Sequence, residues 1–319
     1  MRCLPLADDC GVSASTVSAI MRCIDAGALC GTSIMARGEA VEAAAAELGR
    51  RMAGGSAPGT TFRPALRAGV HLNLLEGLCA ASPQSVPLLA DEQGVFRHSL
   101  GTLCRELYTM SRRNRFRFLD QVTLEWLAQV ATVHGLLKKA TGWEEVPLYL
   151  DGHQHVHAIP ALRPALDAVL GSLRAMHVRV PEELRYACPA PPVLFAAGTL
   201  RRELLAFWGR SLRAFLATRH IPAPDYCIGM FCSGSLTLER LAAGLAKTAT
   251  IAADDTVVEI MTHPGMGAGM DGTPGGGTPG KDAFSRFYAS PARDVEREML
   301  LSPEYRHTLA KYDPAWHHG

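Results

Sequence analysis

Short runs of apolar, often β-branched residues alternate with stretches of helical periodicity along almost all of this 319-residue chain. That rhythm favours a parallel sheet flanked by helices, open or closed into a (β/α) barrel. Strands are expected at Leu4–Ala7, Leu29–Ala36, Ala68–Leu74, Val146–Leu150, Met176–Val180, Tyr226–Met230 and Thr256–Met261. Between them, Ser13–Gly27, Glu39–Met52, Leu119–Thr141, Ala161–Arg174, Thr199–Ala217 and Thr237–Thr248 carry helical spacing, and Ser13 or Ser15 can cap the first helix. Pro83–His98 reads as an irregular excursion. Residues 265–280, with eight glycines and two prolines, read as a flexible loop, and residues 281–319 as a C-terminal helical segment in which Pro291–Lys311 returns to helical spacing. One barrel-sized catalytic domain, residues 1–319, is the expected organisation.

Four segments place acids and histidines where such strands end: Ala7-Asp8-Asp9-Cys10-Gly11, Gly69-Val70-His71-Leu72-Asn73-Leu74, Asp151-Gly152-His153-Gln154-His155-Val156-His157 and Glu259-Ile260-Met261-Thr262-His263-Pro264-Gly265. A carboxylate pair at a strand end can divide labour, one group anchoring a divalent cation while the other accepts a proton from water. Taken alone, Asp8 and Asp9 would more often be turn or helix-capping residues, and His71 a satisfied core histidine. The company they keep changes that reading. His153, His155 and His157 alternate with Gln154 and Val156, so an extended backbone would turn all three imidazoles to one side, with Asp151 beside them as an acceptor for a ring nitrogen. A metal site is favoured over a surface metal-scavenging tract because the segment follows the apolar run Val146-Pro147-Leu148-Tyr149-Leu150 directly. Arg179, at the end of another strand, can pair with a carboxylate of the site.

Composition excludes several classes. Thirty-two basic against 31 acidic residues give a net charge of +1, which argues against nucleic acid as a partner. The one dense basic run, Arg112-Arg113-Asn114-Arg115-Phe116-Arg117, reads as a solvated helix entry or loop. No apolar run is long enough for a membrane span, the nine cysteines include no Cys-x-x-Cys pair, and the short lead before Asp8 leaves no room for a signal peptide. Buried free thiols and a cytoplasmic location are expected. The segment from Pro191 to Thr218, with Phe195, Leu204, Leu205, Phe207, Trp208 and Phe215, reads as a core helix ahead of a lid or a homodimer contact.

The four ordered motifs resemble those of the YdjC-like carbohydrate deacetylases, to which the chito-oligosaccharide deacetylases belong. With Thr32-Ser33-Ile34-Met35, Glu125 and Gln129, Arg179 and Pro181, and Pro224-Asp225-Tyr226 with Gly229, the resemblance runs from Leu6 to about Leu309. It implies a barrel related to the polysaccharide deacetylase fold and hydrolysis of the N-acetyl amide of an amino sugar or oligosaccharide with one divalent metal ion, magnesium or zinc. It further implies Asp9, His71 and His153 as metal ligands, and Asp8 as the base toward a metal-activated water that attacks the acetyl carbonyl. His263 is then the acid toward the leaving amine, with Arg179 holding Asp8 ionised and His155, His157 and Asn73 near the sugar. A metal-dependent phosphoesterase and a catalytically silent sugar- or metal-binding relative are the alternatives. Cys10 stands where the family usually has phenylalanine. The first strand is short and carries Pro5, and no closing strand is evident in Lys311-Tyr312-Asp313-Pro314-Ala315-Trp316, so a barrel opening between the first and last strands is expected.

Overall fold

All seven strands of the sheet run parallel: β1 (Arg2–Cys10), β2 (Gly31–Ile34), β3 (Arg67–Leu72), β4 (Leu148–Gly152), β5 (Ala175–Val178), β6 (Tyr226–Ile228) and β7 (Val257–Thr262). Their order is β5-β4-β3-β2-β1-β7-β6, an open (β/α) barrel whose edge strands β5 and β6 are not paired with each other. The computed structural model describes residues 1–54, 66–173, 175–186, 192–265, 288 and 290–318. The expected loop at 265–280 lies outside them except for Gly265, as does Cys188, and Phe195 lies where no side chain is described.

The opening is not where the sequence suggested. The first strand is nine residues long, and it pairs with β7 over six, from Arg2↔Val257 to Ala7↔Thr262. Pro5 lies within that pairing, opposite Ile260, and its carbonyl accepts from Cys30 N–H at 2.8 Å. Just ahead of β2, the Ala28 carbonyl accepts from the Tyr305 hydroxyl at 3.1 Å. The sheet stays open between β5 and β6, where the chain around each strand bridges the gap irregularly: Val178 N–H donates to the Pro222 carbonyl at 3.0 Å and Cys227 N–H to the Glu182 carbonyl at 2.9 Å. Residues 314–318 form a 3-10 turn, not a closing strand.

Helices α1 (Ala14–Asp25), α2 (Val41–Ala53), α3 (Leu100–Thr109), α4 (Arg112–Thr141), α5 (Arg163–Ser172), α6 (Pro192–Thr218), α7 (Leu238–Ala249), α8 (Ala292–Leu301) and α9 (Pro303–Ala310) cover the sheet. Helix α1 starts at Ser13, whose side chain accepts from Thr16 N–H, and buries Val17, Ile20, Met21 and Ile24 at helical spacing. The aspartate pair is therefore not its cap. Helix α4 begins seven residues before the expected start because Ser111 caps it, so the basic run forms its first turns, with Arg112, Arg113 and Arg117 exposed. Helix α3 has no counterpart in the sequence reading. In α6, Leu205, Trp208, Leu212 and Leu216 are buried, whereas Leu204 and Phe207 face outward. Pro303 divides the C-terminal helical stretch into α8 and α9, and Ser302 caps the second. No helix among the described residues is long and apolar enough to cross a membrane.

Inside the sheet, Gly69 of β3 makes room for Tyr149 of β4: a Cβ at residue 69 would lie 2.5–2.7 Å from the Tyr149 ring carbons. Tyr149 is fully buried and cannot retreat toward solvent. Gly69→Ala should cost about 1–3 kcal/mol through overpacking, measured by urea denaturation, and an unchanged midpoint would show that the ring has space to move.

Candidate metal centre and proton-transfer groups

Asp8, Asp9, His71, His153, Arg179 and His263 lie in the last three residues of a strand or one residue past its C-terminal end, the end at which parallel βα folds assemble their sites. Two neighbouring residues of a regular strand point to opposite faces. Here the β1–β2 register steps from Ala7↔Thr32 to Cys10↔Ile34, so β1 carries one extra residue at Asp8–Asp9, and Asp9 is left-handed with φ 64°. The bulge brings both carboxylates into one cluster. Gly11, with φ 93°, then turns the chain toward α1.

Asp8 meets the fully buried guanidinium of Arg179, which donates from one terminal nitrogen to Oδ2 at 2.5 Å and from the other to Oδ1 at 2.7 Å. The same guanidinium donates through Nε to Glu259 at 2.5 Å and lies 3.0 Å from Asp151. Burial opposes charge on Asp8, but the attraction of Arg179 outweighs it and holds the carboxyl below its ordinary value. Glu259 goes the other way, raised by burial to about 7 although Arg179 opposes the shift.

Asp9 faces two histidines. Its Oδ1 is 3.4 Å from His71 Nε2 and 3.5 Å from His153 Nδ1, and all three residues are buried. His71 donates its other ring nitrogen, Nδ1–H, to Asp151 at 2.8 Å, and Ser33 donates to the second oxygen of Asp151 at 2.8 Å. That arrangement turns the Nε2 lone pair toward the Asp9 carboxylate. Two electron-rich atoms held that close call for a cation between them, a proton or a metal ion. Separations of 3.4–3.5 Å are long for hydrogen bonds but match the edge of about 3.4 Å between two ligands that each lie about 2.1 Å from a tetrahedral ion. The imidazole with a carboxylate behind it is the usual support of a metal-ligating histidine. Asp9, His71 and His153 thus form a donor set that fits a divalent ion. A second acidic group, Asp8, His71 and Asp151, also lies close together, but Arg179 already supplies a fixed cation to both of its carboxylates.

In the absence of a metal ion, protons fill this role. Burial opposes a charge on His71, yet Asp151 and Asp9 overcome it and raise the imidazole to about 10. His153 is also raised, by Asp9 and Glu76 against burial. Arg293 of α8 donates to the outer oxygen of Asp9 at 3.2 Å, and the Tyr288 hydroxyl is 3.5 Å from both Asp9 Oδ1 and His153 Nδ1. Burial opposes charge on Asp9, and its contacts with His153, His71 and Arg293 hold the carboxyl well below the usual range.

His263 follows β7, with Nε2 3.8 Å from Asp8 Oδ2 and its backbone N–H donated to Glu296 of α8 at 2.5 Å. Burial lowers its imidazole to about 4, so it rests neutral at pH 7. The remaining histidines depart from the expected arrangement. Residues 153–158 form a 3-10 turn with Gln154 and His155 at φ 49° and 62°, so the three rings do not share one face. His153 alone joins the donor set. His157 donates Nε2–H to the Arg179 carbonyl at 2.9 Å and is held neutral by burial at about 3, which makes it a brace for the end of β5. The His155 ring lies 6.4 Å from that of His157, also within the fold. Asn73 is occupied by its own loop, accepting from Leu75 N–H and donating to the Glu76 carbonyl. Glu125 and Gln129 of α4 hold that loop in place through the backbone of Ala80, Ala81 and Asn73. The sequence reading gave no role to Ser33, Glu76, Arg293 or Glu296. The three-residue spacing of Arg293 and Glu296 in α8 was the available signal, since it put both on one helix face.

Two outcomes are expected. Arg179→Met leaves Asp8, Asp151 and Glu259 buried without their shared cation, and should destabilise the fold by about 3–5 kcal/mol in chemical denaturation. A divalent ion at His71 Nε2 must displace the proton held there in the metal-free protein, so binding at pH 7–8 should release at least one proton and tighten as pH rises. Calorimetry in buffers of different ionisation enthalpy reads this directly, and binding without proton release would contradict the geometry.

The chain is similar to several known proteins. Proteins named carbohydrate deacetylase from Homo sapiens, Xenopus laevis and Mus musculus are each 28% identical to this chain. The human protein matches over 98% of this chain and 88% of its own length, the frog protein over 94% and 91%, and the mouse protein over 98% and 91%. A crystal structure from Enterococcus faecalis V583, provisionally named for cellobiose-phosphate cleavage, superposes with a TM-score of 0.61 at 19% identity over 98% of this chain and 94% of its own, and so shares the fold. The model of the YdjC-like protein family matches residues 6–311, from the strand that carries the aspartate pair to the end of the last helix, and the chain belongs to that family.

Proposed function

We propose that this chain is a metal-dependent hydrolase that removes the N-acetyl group from an amino sugar or oligosaccharide, working as one catalytic domain. One observation carries the reading: Asp9, His71 and His153 converge as a cation donor set immediately beside a second aspartate that a buried arginine keeps ionised. The names of the human, frog and mouse relatives support the substrate class.

Asp9, His71 and His153 would hold one divalent ion, with magnesium and zinc the leading candidates. When bound, such an ion supplies Lewis-acid polarisation and brings the pKa of water toward neutrality. Asp8 is the proton acceptor toward the attacking water. Arg179 uses one lone pair on each of its oxygens and leaves others able to take a proton. His263, neutral at rest, faces the same carboxylate, so the proton taken by Asp8 passes to His263 and from there to the departing amine nitrogen. Arg179 stays outside the bond changes and keeps Asp8 ionised and aimed. His157 and Asn73 shape the walls of the site through the backbone that they brace, and His155 stands beside the His157 ring.

The decisive assay is acetate release from N-acetylated mono- and oligosaccharides, with chelation followed by add-back of zinc, magnesium, manganese or cobalt. Activity should vanish with the chelator and return with one of the ions. Asp8→Asn should lower kcat by about 10²- to 10⁴-fold while the protein still binds one ion per chain. Wild-type turnover in Asp8→Asn would remove Asp8 as the base. Chelator-insensitive turnover would remove the metal from the mechanism.

A further inference from the structure

A cavity of about 1260 Å³ opens at the opposite end of the same strands. It is lined by the first residues of β1 (Arg2, Cys3, Leu4), β5 (Ala175, Met176, His177) and β7 (Val257), by Arg67 at the start of β3, and by the chain leading into β6. The site above uses the other ends: Leu4 and Asp8 are four residues apart, about 13 Å along an extended strand. The cavity follows from the open barrel. The unpaired edges of β5 and β6 leave room between them at the N-terminal face, and Trp316 of the terminal 3-10 turn stands in its wall instead of a closing strand.

Its charges are unevenly matched. Of the three carboxylates in the wall, Asp313 accepts from the Cys3 and Ala315 N–H groups, Asp167 is paired with Arg219, and Glu145 is exposed. Arg67 is half-buried, and among the described residues no carboxylate lies within ion-pair distance of it. Its one side-chain partner there is the ring of His177, 3.3 Å away, whose Nδ1 accepts from the guanidinium. Burial lowers the His177 imidazole to about 3, so this partner is neutral and leaves the charge of Arg67 uncompensated. A half-buried guanidinium whose remaining N–H groups border a cavity is matched by an oxyanion, which accepts two of them in parallel. Arg2, at the same rim, adds a second cation. The rest of the wall, Leu4, Met176, Ile221, Val257 and Trp316, is apolar or aromatic.

We infer that the N-terminal face of the barrel is a second binding site, separate from the metal centre, for a small organic oxyanion. Its phosphate or carboxylate group sits on Arg67, and its apolar body packs against Met176, Ile221 and Trp316. The volume has room for one small organic molecule with water beside it, and the mixture of apolar wall with few polar groups is the usual make-up of such sites. The inference does not depend on the deacetylase reading.

Phenyl phosphate serves as the probe and benzyl alcohol as its uncharged counterpart, with binding followed by calorimetry on the full chain. Benzoate separates a carboxylate from a phosphate preference. Three variants locate the binding: Arg67→Gln, Gly171→Phe and Asp9→Asn. Gly171 lines the cavity and an added Cβ there meets nothing within 4 Å, so the fold accommodates a larger side chain at the cavity wall. Wild type should bind one equivalent of phenyl phosphate or benzoate and bind benzyl alcohol at least tenfold more weakly. Arg67→Gln and Gly171→Phe should each weaken the anion at least tenfold, and Asp9→Asn should leave it unchanged. Should Arg67→Gln fail to fold, Gly171→Phe decides alone. The inference is overturned if wild type shows no saturable binding, if the folded cavity variants bind like wild type, if the alcohol binds as tightly as the anions, or if Asp9→Asn abolishes binding and so assigns the probe to the metal centre.

Discussion

The buried guanidinium of Arg179 is the interaction around which the upper end of this barrel is organised. It lies among Asp8 of β1, Asp151 of β4 and Glu259 of β7, and none of the four has appreciable contact with water. Each of those carboxylates would be costly to bury by itself, and a planar cation with donors on three sides satisfies all of them together. Four strands are thereby tied at one level, including the edge strand β5, which has no sheet partner on its far side. The sharing is unequal. Asp8 takes two hydrogen bonds and is kept ionised, while Glu259 takes one and is pushed toward its neutral form.

The two adjacent aspartates acquire different chemistry from this arrangement. Without the bulge in β1, Asp8 and Asp9 would face opposite sides of the sheet. With it, Asp8 turns toward the fixed cation Arg179, and Asp9 turns toward His71 and His153, where a proton or a metal ion must balance the charge. Asp151 connects the two halves, because one of its oxygens orients His71 while the other lies near Arg179 and accepts from Ser33. Helix α8 closes the cluster from outside, with Arg293 on Asp9 and Glu296 on the backbone of His263.

Much of this was legible in the chain. The apolar runs located all seven strands, and the acid and histidine motifs at their ends named Asp8, Asp9, His71, His153, Arg179 and His263, which the fold brings into one cluster. Local pattern failed where backbone geometry departs from it. The alternation of His153, His155 and His157 is a β signal only on an extended chain, and two left-handed residues convert it into a turn. Pro5 looked like a mark of an abbreviated first strand, but β1 runs through it for nine residues, held by six pairs with β7 from the far end of the chain.

Sequence by itself determined the βα order, the ends of strands where chemistry could gather and the residue types available there, because hydrophobic period and side-chain identity are local properties. Tertiary structure alone decided where the barrel opens, which of three histidines joins Asp9, and which aspartate receives the arginine. Those outcomes depend on strand register, on one bulge and on pairings between residues 80 to 284 positions apart, and no local pattern encodes them.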